Sequence, residues 1–94
     1  MKVLIGRKQG VLYSLRIKQS AFKELRRLDK KERVRIIAAI DQLAKNPHIG
    51  KLLKGEFSGL RRIRSGNYRV IYEINEGEVL VLVLRIAHRK EIYR

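Results

Sequence analysis

The sequence predicts an α+β fold, a helical hairpin packed on one face of a small antiparallel sheet. Two observations predict it. One segment of strand-like alternation is followed by two stretches of helical period, and then come three further alternating segments. Those last three are joined by the short turns "SGN" and "NEGE", which make hairpins and therefore antiparallel neighbours. The chain has 94 residues, which suits one domain, and its apolar content of 45% is enough for a core.

Each element has a local reason. "VLYSLRIKQ" (11–19) alternates, with Tyr13, Leu15 and Ile17 on one side and Ser14, Arg16 and Lys18 on the other. Ser20 then fits as an N-cap, and Ala21, Leu25 and Leu28 form the stripe of a short amphipathic helix. "DKKE" (29–32) has the spacing of a capping box, with Asp29 in place of the usual Ser or Thr. A longer helix runs from there to about Lys45, with apolar positions at Val34, Ile37, Ile40 and Leu43. "NP" (46–47) stops it, because proline cannot continue the hydrogen-bond ladder. "HIGKLLKGEFSG" (48–59) reads as a loop. Strands are expected at 60–64, 68–75 and 78–86, with Gly77 supplying the positive φ of the second turn. Residues 1–12 form an N-terminal extension, for which disorder and a loose extra strand both fit, and residues 13–94 form the domain.

Composition narrows the function. Lys and Arg number 23 against nine Asp and Glu, a net charge of +14. Such a field attracts phosphate polyanions, so nucleic acid is the leading partner class. The chain has no cysteine, which removes disulfides and thiolate metal sites, and its two histidines, His48 and His88, lie far apart. Neither a metal nor another cofactor is expected. The longest apolar run, "VLVLVL" (79–84), is too short to span a bilayer, and "MKVLIGRKQG" lacks the apolar stretch of a signal peptide. No membrane association and a cytoplasmic location are the expectation.

Strand parity points to a site. If Leu80, Leu82, Leu84 and Ile86 meet the helices, Arg85 falls on the open face with Val79, Val81 and Val83. With Tyr68, Val70, Tyr72 and Ile74 on the helix side, Arg69 is open as well, and so are Arg62 and Arg64 of the preceding strand. Arg61 falls on the other side with Ile63, and a bulge would flip any of these assignments. Four arginines, with only Glu73 among them, repel one another until a phosphate arrives, and the planar guanidinium binds phosphate bidentately. The alternative is a solvated face with scattered charge. The tail "HRKEIYR" (88–94) sits at the rim of this face. It is either a frayed basic terminus or a source of phosphate ligands (Arg89, Lys90), a stacking ring (Tyr93) and a group titrating near neutrality (His88).

"LRRIRSGNYRVIYEI" (60–74), the apolar strand 79–86 and "HRKEIY" (88–93), with "SAFKELRRL" (20–28) and "KLLKG" (51–55), resemble the RelE/ParE superfamily of toxins from type II toxin–antitoxin systems. The resemblance covers about residue 13 onward and implies a β-α-α-β-β-β domain neutralised by a cognate acidic antitoxin. RelE-like members are ribosome-dependent mRNA interferases, in which the ribose 2′-OH attacks the adjacent phosphate in the A site. ParE-like members inhibit DNA gyrase, and a catalytically degenerate RNA-binding homologue is a third possibility. Carried over by position, Arg69 matches the arginine at the scissile phosphate. Arg89 matches an arginine assigned to phosphate or leaving-group stabilisation, and Tyr93 a tyrosine assigned to stacking or proton transfer. Arg62 falls where members carry a basic residue, often lysine, and His88 where they carry lysine or histidine. Leu60 replaces a second lysine, so no general base is obvious, since arginine stays protonated. The resemblance thus implies a catalytic set of Arg62, Arg69, His88, Arg89 and Tyr93; the basic residues around them, Arg61, Arg64, Arg85 and Lys90, are expected to bind RNA.

Overall fold

In the computed structural model, which describes residues 11–88 and 90, two helices lie on one face of a five-stranded mixed sheet. The elements are β1 (Ser14–Ile17), α1 (Gln19–Arg26), α2 (Lys30–Lys45), β2 (Lys51–Leu52), β3 (Arg61–Ser65), β4 (Tyr68–Asn75) and β5 (Leu80–His88). The strand order is β1-β5-β4-β3-β2. β3, β4 and β5 form the expected antiparallel meander, β2 pairs antiparallel with β3, and β1 adds a parallel pair at the β5 edge.

The helix boundaries follow from capping. The Asp29 side chain accepts from the Glu32 N–H at 3.0 Å, as the "DKKE" spacing predicts. α1 begins at Gln19, not after Ser20. The Lys18 N–H donates to Val83 O of β5 and its carbonyl accepts from the Phe22 N–H, so the chain turns from sheet to helix one residue early, without a side-chain cap. Gly66, with φ of 61°, takes the first central position of the β3–β4 turn, where hairpins with one positive φ favour glycine. In the next turn the positive φ falls on Val79 (52°) rather than Gly77. There the Asn75 side chain accepts from the Glu78 N–H and the Val79 N–H reaches back to Glu76 O, so the turn closes later and β5 starts at Leu80.

The core lies between the helices and the sheet. Ala21, Leu25, Ile36, Ile40 and Leu43 meet Val70, Tyr72, Val81, Val83 and Ile86. Two expectations change. α2 buries Ile36, Ile40 and Leu43, a stripe at i, i+4, i+7, and leaves Val34 and Ile37 exposed. On β5, Val81 and Val83 face the helices in place of Leu80, Leu82 and Leu84. The cause is a bulge: Tyr72 pairs with Val83 and Ile71 with Arg85, which leaves Leu84 without a partner and reverses the alternation at that point. Ile86 reaches the core because it lies beyond the bulge.

The segment expected as a loop is anchored. The Tyr72 hydroxyl, fully buried, donates to Pro47 O at 2.6 Å and accepts from the Gly50 N–H at 3.0 Å. Arg61 Nη1 donates to Gly50 O at 2.8 Å. This clasp delivers β2 to the edge of β3.

Candidate nucleic-acid interface

The β3–β4 hairpin places Arg64 directly opposite Arg69 and Arg62 opposite Ile71. Residues paired across an antiparallel ladder project from the same face, with Cβ atoms about 4.5–5.5 Å apart. Arg62, Arg64 and Arg69 therefore share the face away from the helices. β2 adds Lys51, the register partner of Arg62. Beneath them lies a small apolar floor of Ile71 and Ala87, with Leu53 and Leu60 packed against it. Arg64 is exposed, while Arg69, next to Ala87 in the ladder, is only 7% exposed. The hairpin thus gathers three guanidinium groups on one face, with Arg64 exposed and Arg69 buried against the apolar floor.

The other candidate site residues are engaged outside this cluster. Arg85 pairs with Ile71, on the expected face, but its side chain turns to α1: its Nε donates to Glu24 Oε2 at 3.0 Å, and Glu24 Oε1 accepts the Ile86 N–H at 2.8 Å. β1 ends at Ile17, opposite Val83, so the stretch of β5 beyond it has no strand beside it and Glu24 takes up its edge. Arg61 sits on the helix side and holds the 47–50 segment. His88 pairs with Tyr68 at the last rung of the β4–β5 ladder, on the helix side, with the rings edge to face at 5.5 Å. It does not face the Arg64–Arg69 pair. Lys90 lines the same helix-side cavity, and its backbone N–H contacts His88 Nδ1 at 3.3 Å. Arg89 and Tyr93, with the helical turn expected to align them, lie outside the described residues.

Sequence reading missed Lys51 as a site residue. Its signal was present in "KLLKG", but a two-residue strand is too short to show alternation. It also missed the helix-side cavity of about 470 Å³, lined by Glu24, Arg27, Leu28, Tyr68, Ile86 and His88 among others. Among the described residues, no group of three or more His, Cys, Asp or Glu is placed to hold a metal, and no helix is long and apolar enough to cross a membrane.

A two-helix layer over a short sheet, with an arginine-bearing hairpin on the free face, defines the class. The model of the ParE toxin family of type II toxin–antitoxin systems (parDE) matches residues 15–93, and the chain belongs to the RelE/ParE superfamily of type II toxins. It is 36% identical over 84 residues to the toxin RelE of Mycobacterium tuberculosis, covering 87% of each chain. It is 34% identical over 88 residues to the toxin RelG of that organism, covering 87% of this chain and 97% of the relative. Among solved structures it is similar to the toxin–antitoxin complex RelBE2 from M. tuberculosis, with a TM-score of 0.79 and 29% identity over 86% of this chain and 95% of that one.

Proposed function

We propose that this toxin is a ribosome-dependent mRNA endonuclease and that its free sheet face holds the scissile phosphate. The observation that carries the reading is the Arg64–Arg69 pair, flanked by Arg62 and Lys51, over an apolar floor. In the reaction the ribose 2′-oxygen forms a bond to phosphorus and the bond from phosphorus to the 5′-oxygen breaks. The products are a 2′,3′-cyclic phosphate and a 5′-hydroxyl; one proton leaves the 2′-OH and one reaches the departing oxygen. The arginines remain protonated, so their part is to align the RNA and to stabilise charge on the phosphoryl oxygens. Arg69 has the role nearest the phosphate, with Arg62 and Arg64 beside it. Arg89 and Tyr93 complete the proposed set from the C-terminal segment. His88 lies on the other side of the sheet, beside Tyr68, and has no part in this step.

A co-encoded acidic antitoxin is the proposed protein partner, supported by the +14 charge and by the antitoxin complex of the M. tuberculosis relative. The toxin loses its effect when the antitoxin is co-expressed. A second reading, inhibition of DNA gyrase, is favoured by the family model's description as a ParE toxin. One experiment separates the two: brief induction in cells, with mapping of new mRNA 5′ ends and a gyrase supercoiling assay on the purified chain. The endonuclease reading expects new 5′ ends in translated frames and unaltered supercoiling. The opposite pair of results supports the gyrase reading.

A further inference from the structure

The cavity on the helix side of the sheet is not used by the chemistry above. It lies at the end of the β4–β5 ladder, behind the arginine face: Tyr68 lines it, while the next residue, Arg69, projects from the opposite side of the sheet. Its walls come from the end of α1 (Glu24, Arg27, Leu28) and from the last rungs of β4 and β5 (Tyr68, Ile86, Ala87, His88), with Lys90 at the rim.

The polar groups in it are unevenly matched. Its only carboxylate, among the described residues, is Glu24, and both of its oxygens are already engaged by Arg85 and the Ile86 N–H. Among the described residues, the Arg27 guanidinium and the Tyr68 hydroxyl make no hydrogen bond or ion pair. The Lys90 ammonium adds a third donor, likewise outside any ion pair within that set. Three donors around one cavity, two of them cationic, favour an anion. The Tyr68–His88 ring pair and Leu28 add an aromatic and apolar wall, which suits a nucleobase more than a bare inorganic ion.

We propose that this cavity is a second nucleotide subsite, in which Arg27, Lys90 and the Tyr68 hydroxyl bind a phosphate of single-stranded RNA and the Tyr68–His88 pair borders its base. The proposal rests on the reading that RNA is the ligand. The strand then turns around the end of the sheet, with one phosphate at Arg64 and Arg69 and another behind it. The subsite tethers RNA and performs no bond-breaking step.

The two histidines provide the test, because His48 lies at the far end of β4, hydrogen-bonded to Glu76. Proton NMR of the full chain follows both imidazole signals while inorganic phosphate, adenosine monophosphate or a short RNA oligonucleotide is added. The expected result is a saturable shift at His88 alone, stronger for the nucleotide than for phosphate. Arg27→Ala should weaken it about tenfold or more, the cost of one charge-assisted hydrogen bond, and Tyr68→Phe less. Equal shifts at both histidines, or an unchanged affinity in Arg27→Ala, would overturn the subsite. So would silence toward all three probes, including the case in which an acidic peptide moves His88 instead. The His88 response is read without cleavage. Its persistence in a chain that fails to cut mRNA would sink the catalytic reading alone, and its loss in one that still cuts would sink this subsite alone.

Discussion

Tyr72→Phe removes one oxygen from the core and should cost far more than its size suggests. That hydroxyl donates to Pro47 O and accepts the Gly50 N–H, and the tyrosine itself is fully buried. Phenylalanine fills the ring's volume, so no large cavity forms, but a carbonyl and an amide lose their partner where water is excluded. A buried group left unsatisfied costs about 1–3 kcal/mol, so the pair together costs about 3 kcal/mol after partial relaxation. In a domain of this length that lowers Tm by about 12–24 °C. Gly50→Ala attacks the same joint from the other side, since a Cβ there would crowd the Tyr72 ring carbons at 2.9 Å. The two changes share one contact and should combine less than additively. The assay is thermal unfolding followed by circular dichroism, with urea unfolding as a second measure. A Tm within about 3 °C of the parent for Tyr72→Phe would refute the reasoning and leave the 47–52 segment held by something other than this clasp.

Other outcomes follow from the same structure. The Tyr13 hydroxyl is pushed above its ordinary 10.0 by its hydrogen bond to Glu76, then by burial and the Glu76 charge. Tyr72 is pushed up by burial, opposed by the Gly50 N–H and Arg61. Both neutral forms therefore stabilise the fold below about pH 10, and that contribution is lost as pH rises through the raised values; the alkaline limb of a Tm–pH curve should be shallower in Tyr72→Phe. Glu24→Ala should destabilise by about 1–3 kcal/mol in urea, because it leaves the Ile86 N–H unpaired, whereas Arg85→Ala, which removes only a partly exposed ion-pair partner, should cost about 0–1 kcal/mol. RNA binding through about four phosphates should weaken with salt at a log–log slope near −3, since each single-strand contact contributes about −0.7; a flat response would rule out a phosphate-directed surface.

What was legible in the sequence was local. Asp29 three residues before Glu32, and proline after Asn46, mark the ends of α2 because capping and a missing N–H act within one turn. The hairpins were legible for the same reason. The parallel pairing of β1 with β5 joins residues 66 positions apart, such as Ser14 and Leu80, and nothing in either segment announces it. The bulge at Leu84 was hidden because both faces of β5 are apolar, so alternation gives no sign of which side is buried. The Arg85–Glu24 ion pair and the Tyr68–His88 ring pair join residues far apart in the chain, and alternation shows neither. Arg62, Arg64 and Arg69 kept their common face because the β3–β4 ladder is regular where they lie.

Arg69 is the residue on which the functional account depends most. Its burial means that truncation to alanine also opens a hole in the structure, so Arg69→Gln is the cleaner change. The measurement is single-turnover cleavage of mRNA on programmed ribosomes, with the Tm of the variant recorded alongside. The account predicts a folded protein that cuts about a hundred- to a thousand-fold more slowly, the usual effect of losing one preorganised charge-stabilising donor. A folded Arg69→Gln protein that cuts at the parent rate would contradict it.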